Sequence, residues 1–303
     1  MKLGLLCYNP LLRISRSFME KLFLPAVRCI FTCCFAVLTA TVASGQIFDT
    51  GSAKSTAPKP AAPKPSPTPK PATKDPKKLA TAEEIAEAVV FYYAFPGGRA
   101  TLDQIRKTTL EHGRSSVTNA DGRIDQAVYQ RYVIRAESLD KEKIRMDLEL
   151  PTAKFSLIRN DDKIFGVYNN TVFTPREDAV KQFENQIFHG LEALLRYKEN
   201  ESTLELVPRE KIMGVDYNII DVTDKQGRKT RFYISVKTYR VMMLSYTDAG
   251  VKYKRRFYDY NYAQGTLVPS HSILWADDKI VEDSEVLNVK FGQKVDEDMF
   301  RAG

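Results

Sequence analysis

Lys252-Tyr253-Lys254-Arg255-Arg256 is the densest basic run after residue 79. Written on a strand, Lys252, Lys254 and Arg256 share one face, and Tyr258, Tyr260 and Tyr262 continue it. Cations interleaved with tyrosines suit anionic headgroups or an acidic partner surface. The plainer reading is a solvated sheet face whose lysines discourage edge-to-edge pairing. His112, His189 and His271 are scattered, without the His-x-x-x-His spacing of a metal site. There is no Gly-x-Ser-x-Gly elbow, no P-loop and no Gly-x-Gly-x-x-Gly turn. All four cysteines (Cys7, Cys29, Cys33 and Cys34) precede residue 45, so the rest of the chain holds no thiol nucleophile, Cys-based zinc site or disulfide. No catalytic set, metal site or cofactor motif emerges, and the expectation is a protein that is not an enzyme.

The second kind of chemistry on offer is apolar. Tyr239 to Tyr246 presents Val241 and Met243 on one side and Met242, Leu244 and Tyr246 on the other. His271, Ile273 and Trp275 share a face, with Leu274 opposite. Strands apolar on both faces need cover on both sides, and an aromatic and methionine lining suits flexible acyl chains. A fully packed core explains the same residues.

These residues need strands to carry them. From Arg228 to Trp275 short runs of Val, Ile, Phe and Tyr alternate with turn residues such as Asp248-Ala249-Gly250 and Gln264-Gly265, which reads as antiparallel hairpins. Strands are also expected over residues 127–136, 144–150, 154–158, 163–168, 203–207, 217–222 and 286–291, about eleven in all. Ile144, Met146, Leu148 and Leu150 alternate with Arg145, Asp147 and Glu149, a strand with one apolar face.

Helical spacing appears three times. Ile85, Ala88, Val89 and Tyr92 make one apolar stripe, with Thr81 as N-cap. Leu102 to Leu110 is expected to form a second helix, with Thr101 as N-cap and His112-Gly113 as its close. Within residues 175–199, Val180, Phe183, Ile187, Leu191 and Leu194 recur at steps of three or four, an amphipathic helix pressed on the sheet.

The first 79 residues are of another kind. Basic flanks, the apolar run Cys29 to Val42 and the small residues Ala43-Ser44-Gly45 read as a secretory signal over residues 1–45. A retained inner-membrane anchor is the alternative. Residues 46–79 hold eight of the chain's 15 prolines, interleaved with lysines, and are expected to form an extended tether. Together these two segments account for the net charge of +7, because residues 80–303 carry 33 bases against 35 acids. A nucleic-acid partner is therefore not expected. Residues 80–303 read as one α+β domain.

The second half of that domain carries Met213-Gly214-Val215-Asp216-Tyr217, Thr238-Tyr239-Arg240, Tyr258-Asp259-Tyr260, Gly265-Thr266-Leu267-Val268-Pro269 and finally Asp296-Glu297-Asp298-Met299-Phe300. In this order, after two helices, a meander and one interrupting helix, the pattern resembles the LolA/LolB-like lipoprotein-sorting superfamily over roughly residues 80–303. The resemblance implies a single strongly curved antiparallel sheet, an unclosed half-barrel, with helices on its concave face. It also implies export to the periplasm and binding of lipid or lipoprotein acyl chains in a cavity between sheet and helices, as in lipoprotein transport to the outer membrane. The residues expected to line that cavity are Phe183, Ile187, Leu191, Val241, Met243, Ile273 and Trp275. Lys252, Lys254 and Arg256 are expected to meet headgroups or a partner, envelope membrane proteins included. An envelope sensor or scaffold that binds a protein partner is the alternative.

Overall fold

Thr81 opens the folded region with a reciprocal cap. Its hydroxyl accepts from the Glu84 amide at 3.2 Å, while the Glu84 carboxylate accepts from the Thr81 amide at 2.8 Å. Helix α1 (Ala82–Tyr93) follows, burying Ile85, Ala86, Val89, Val90 and Tyr93. The computed structural model describes residues 80–118 and 122–301. The signal and tether expected over residues 1–79 lie outside the described residues.

Helix α2 (Gly98–Ile105) is short, and strand β1 (Thr108–Thr118) begins directly after it. The expected helix to Leu110 is therefore replaced by a strand, and Thr101 sits inside α2 rather than at its cap. Leu102 and Leu110 imitate helical spacing, but Thr108-Thr109 are β-branched and favour the strand. Strands β2 (Ile124–Ile134), β3 (Lys143–Glu149), β4 (Lys154–Asn160), β5 (Lys163–Tyr168) and β6 (Thr171–Phe173) then form a meander.

Two helices cross over next, α3 (Glu177–Phe188) and α4 (Leu191–Leu195). The single helix expected over residues 175–199 is broken at Gly190. A Cβ there would stand 2.8 Å from the Gln186 carbonyl oxygen, so only glycine allows the chain to turn this tightly. The second meander runs through β7 (Thr203–Ile212), β8 (Val215–Thr223), β9 (Lys229–Ser235), β10 (Val241–Asp248), β11 (Val251–Ala263), β12 (Thr266–Ala276) and β13 (Lys279–Phe291).

All thirteen strands pair antiparallel in one sheet, in the order β6-β5-β4-β3-β2-β1-β13-β12-β11-β10-β9-β8-β7. The sheet is not closed, as the half-barrel reading requires, but it has thirteen strands where about eleven were expected. The two additions are β1 and β6. Strand β1 is the seam that joins the two meanders, paired with β2 on one side and β13 on the other. The crossover helices carry the chain from one edge strand, β6, to the other, β7.

Tight turns set the registers. Asp161-Asp162, Asn169-Asn170, Met213-Gly214, Ala249-Gly250, Gln264-Gly265 and Asp277-Asp278 all have two successive positive φ angles. That is the turn whose twist matches a two-residue hairpin. The core lies between the sheet and the helices. Ile144, Leu157, Ile220, Phe232, Val241 and Leu244 come from the strands, and Val89, Phe183, Ile187 and Leu194 from the helices.

Alternation fails once in β11. Asp259 has φ +49° in mid-strand. Phe257 and Tyr260 consequently both face the helices, although they are three residues apart. The Tyr260 hydroxyl donates to the Val241 carbonyl and accepts from the Tyr93 hydroxyl at 3.2 Å. Tyr260 therefore does not continue the outward face of Lys252, Lys254 and Arg256, contrary to the expectation from the sequence.

The C-terminal Asp-x-x-x-Phe piece closes the outer face of β3 and β4. Asp296 caps a turn of 3-10 helix (Glu297–Phe300). Arg145 donates to the Met299 carbonyl at 2.8 Å, and Asn160 to the Phe300 carbonyl at 3.2 Å. Phe300 and Ile158 are both fully buried.

Candidate functional site

A cavity of about 400 Å³ lies between the sheet and the crossover helices. Its roof is α3 and α4, with Phe183, Ile187 and Leu191 pointing in. Its floor belongs to β1–β4 on one side of the seam and β11–β13 on the other. Residues paired directly across strands share a face, so register decides what the floor presents. Arg131 of β2 stands opposite Met146 of β3, Met146 opposite Leu157 of β4, and Leu157 opposite Gly166 of β5. The next row is Tyr129, Leu148 and Phe155.

The cavity is divided. Met146, Leu148, Phe155 and Leu157 make an apolar half under Phe183 and Ile187. Beyond it the Phe173 ring lies over Gly166, where a Cβ would meet it at 2.2 Å, and packs edge-on against Phe155 at 6.5 Å. The other half is charged.

Glu192 on α4 is its hub. Its carboxylate accepts from Arg106 and, at 2.5 Å, from Arg135, and Arg135 also reaches Asp103 at 2.9 Å. Burial alone would raise the Glu192 carboxyl, but the guanidinium groups of Arg135 and Arg106 outweigh it and hold the pKa down at about 2. Arg106 is fixed in turn by Thr266 at 3.1 Å and the Leu267 carbonyl at 3.0 Å. Arg196 bonds Glu142, whose carboxyl burial pushes up to about 7 against the attraction of Arg196.

Across the seam, Arg255 pairs with Glu282 at 2.9 Å. Tyr129 donates to Glu111 at 2.9 Å; burial and that neighbouring carboxylate push its phenol well up. His189, at the end of α3, sits 2.6 Å from Thr230 and stacks on Tyr246 with ring centroids 4.0 Å apart. Burial, then Arg228, lowers its pKa to about 4.

Phe183, Ile187 and Leu191 thus meet in the cavity roof, but the four expected strand residues do not line it. Val241 is fully buried in the core beside Tyr260. Met243 pairs with Arg256, Ile273 also pairs with Arg256, and Trp275 pairs with Lys254. All three therefore lie on the face opposite Leu244, Phe257 and Arg255, which look inward. Lys252, Lys254 and Arg256 share that outer face. The Lys254 ammonium lies 5.5 Å from the Trp275 ring centre, and the Arg256 guanidinium 5.9 Å from that of Tyr258. Two of the three cations are thus held by aromatic neighbours.

The sequence reading missed the charged half. Its one signal was the β2 alternation, where Tyr129, Arg131, Val133 and Arg135 share a face. Arginine in such a row reads as the solvent side. Among the described residues no group of three or more His, Cys, Asp or Glu could hold a metal ion, and no helix is long and apolar enough to cross a membrane.

The chain matches no family model and no curated protein. Its backbone does superpose on solved structures. A DUF1329 family protein from Desulfovibrio piger aligns at 13% identity with TM-score 0.54, covering 74% of this chain and 98% of that one. A LolA superfamily protein from Nitrosomonas europaea aligns at 12% identity with TM-score 0.52, again covering 74% and 98%. The chain has the LolA/LolB-like fold. In this LolA/LolB-like sheet the seam β1–β13 and the crossover α3–α4 bound the cavity, and arginines and glutamates divide it.

Proposed function

We propose that this chain is an exported bacterial envelope protein that binds acyl chains of lipids or lipoproteins in the cavity under α3 and α4. It acts by binding and release, without enzymatic chemistry. The observation that supports this is the apolar half of the cavity. Met146, Leu148, Phe155 and Leu157 form its floor, and the inward face of an amphipathic helix forms its roof. An acyl chain lying there replaces water against apolar side chains, which favours binding by roughly 25 cal/mol per Å² of apolar surface covered.

In this reading α3 and α4 lift from the sheet to admit a chain, and the Glu192 bridges to Arg106 and Arg135 hold them down. A tethered periplasmic location follows from residues 1–79 as read from the sequence. Transfer of lipid or lipoprotein toward the outer membrane is the role this binding serves.

The test is native mass spectrometry of the purified protein, with and without added acyl probes. Co-purifying lipid, or uptake of a probe, is the expected result. A ligand-free protein that ignores added probes contradicts the reading. Cross-linking in cells that recovers one protein partner and no lipid supports an envelope sensor instead.

A further inference from the structure

We propose that the cavity's occupant is a single-chain amphiphile ending in an anion, with its carboxylate or phosphate held by Arg131. This rests on the acyl-binding reading above and names the class of ligand. Four guanidinium groups line the cavity, and three are committed. Arg106 and Arg135 share Glu192, and Arg255 holds Glu282.

Arg131 is the cation left over. It lies on the floor, its Nε is buried without a partner, and it makes no hydrogen bond or ion pair with another described residue. Glu111 faces it across the β1–β2 pair but accepts the Tyr129 phenol instead. This half-buried guanidinium feels the charge of Glu142 but bonds no carboxylate, so it keeps donors for a ligand anion. Its planar fork matches a carboxylate or phosphate in two parallel hydrogen bonds.

The tail has a path from there. The cross-strand row from Arg131 continues through Met146 and Leu157 to Gly166, and Phe173 covers the far end. Three strand spacings make this track about 14 Å long. Phe183 and Ile187 roof it. The volume is near the lower end of the ~300–1,000 Å³ usual for small-molecule sites, which suits one chain rather than several.

The experiment measures affinities of the full chain for dodecanoate, dodecyl phosphate, dodecanol and inorganic phosphate by calorimetry, then repeats them with Arg131→Met and Arg131→Lys. In the wild type at least one anionic amphiphile is expected to bind about tenfold or more tightly than dodecanol, the scale of a charge-assisted hydrogen bond. Which of the two binds better identifies the headgroup. Arg131→Met should remove the preference for the anions over dodecanol, while Arg131→Lys should restore part of it.

Equal binding of dodecanol and the anions by the wild type overturns the proposal while leaving the acyl-binding reading intact. A preference that survives in Arg131→Met overturns it too. Binding of inorganic phosphate without either amphiphile shows a free-anion site and contradicts it. Failure of all the chain-bearing probes removes both readings together. Should the variants not fold, the wild-type comparison of dodecanol with the anions still decides.

Discussion

Arg135, just past the end of β2, and Glu192 on the crossover helix are joined by a bond of 2.5 Å between Nη2 and Oε2. This contact ties the floor of the cavity to its roof. It also ties a residue following β2 to one 57 positions later in the chain, so it forms only when the crossover has packed back on the first meander. Arg106 completes it from the other side, and Glu192 is the only carboxylate that serves both cations among the described residues.

Replacing Glu192 with Gln should be costly for that reason. It leaves two largely buried guanidinium groups facing one neutral amide, and breaking such a pair costs about 3–5 kcal/mol. Urea unfolding should show a lower midpoint with an unchanged slope. Hydrogen exchange should rise in α3 and α4 more than in the strands. An unchanged midpoint would mean that the bridges do not hold the roof.

His189 should make the domain sensitive to mild acid. Its folded pKa, about 4, lies below the unfolded value of about 6.5, so the unfolded chain binds the extra proton. The stability it contributes is complete above pH 6.5 and is lost as pH falls from 6.5 to 4. The loss amounts to roughly 3 kcal/mol at ~1.4 kcal/mol per unit. Measured between pH 7 and pH 4, unfolding free energy should fall less in His189→Gln than in the wild type. Parallel pH profiles would contradict the assignment.

The face switch in β11 depends on Asp259 at φ +49°. A β-branched residue resists that conformation by about 1–2 kcal/mol. Asp259→Val should therefore lower stability by about that much, whereas Asp259→Gly should be neutral or slightly stabilising. If valine were tolerated as well as glycine, the Tyr260 arrangement would not depend on the left-handed residue.

Phe300 is the apolar plug of the outer face, buried with Ile158 beneath the last turn. Phe300→Ala should cost about 3–5 kcal/mol, as large-to-small changes of buried aromatics do. Thermal unfolding would register it as a drop of several degrees. Acyl binding, on the other side of the sheet, should survive below the new transition.

Much of the fold could be read from the sequence because strands announce themselves by period two and by their turns. Ile144 to Glu149 and the Gln264-Gly265 hairpin are examples. Strand β1 was hidden because its side chains, Ser, Gly, Glu and Thr, form no apolar face; pairing on both sides makes it a strand. The roof residues Phe183, Ile187 and Leu191 were legible because a helix with one apolar face has only one way to sit on a sheet.

Of the floor, Met146 and Leu148 were legible as one apolar strand face, but the rest was not. Ile273 and Trp275 are as apolar as any lining residue, and only the register with Arg256 and Lys254 puts them outside. Arg131 was missed for the converse reason, since a charge inside a strand reads as facing water until the pairing with Met146 turns it inward.

The account's central claim is that acyl chains occupy the track over Met146 and Leu157. It is tested most directly by binding of a fluorescent fatty-acyl probe to the wild type and to Leu157→Trp. In that variant the larger ring fills the apolar half from a position that is already buried. The wild type should take up the probe, and the folded variant should bind it at least tenfold more weakly. Equal binding by both proteins, or no binding by either, would contradict the claim.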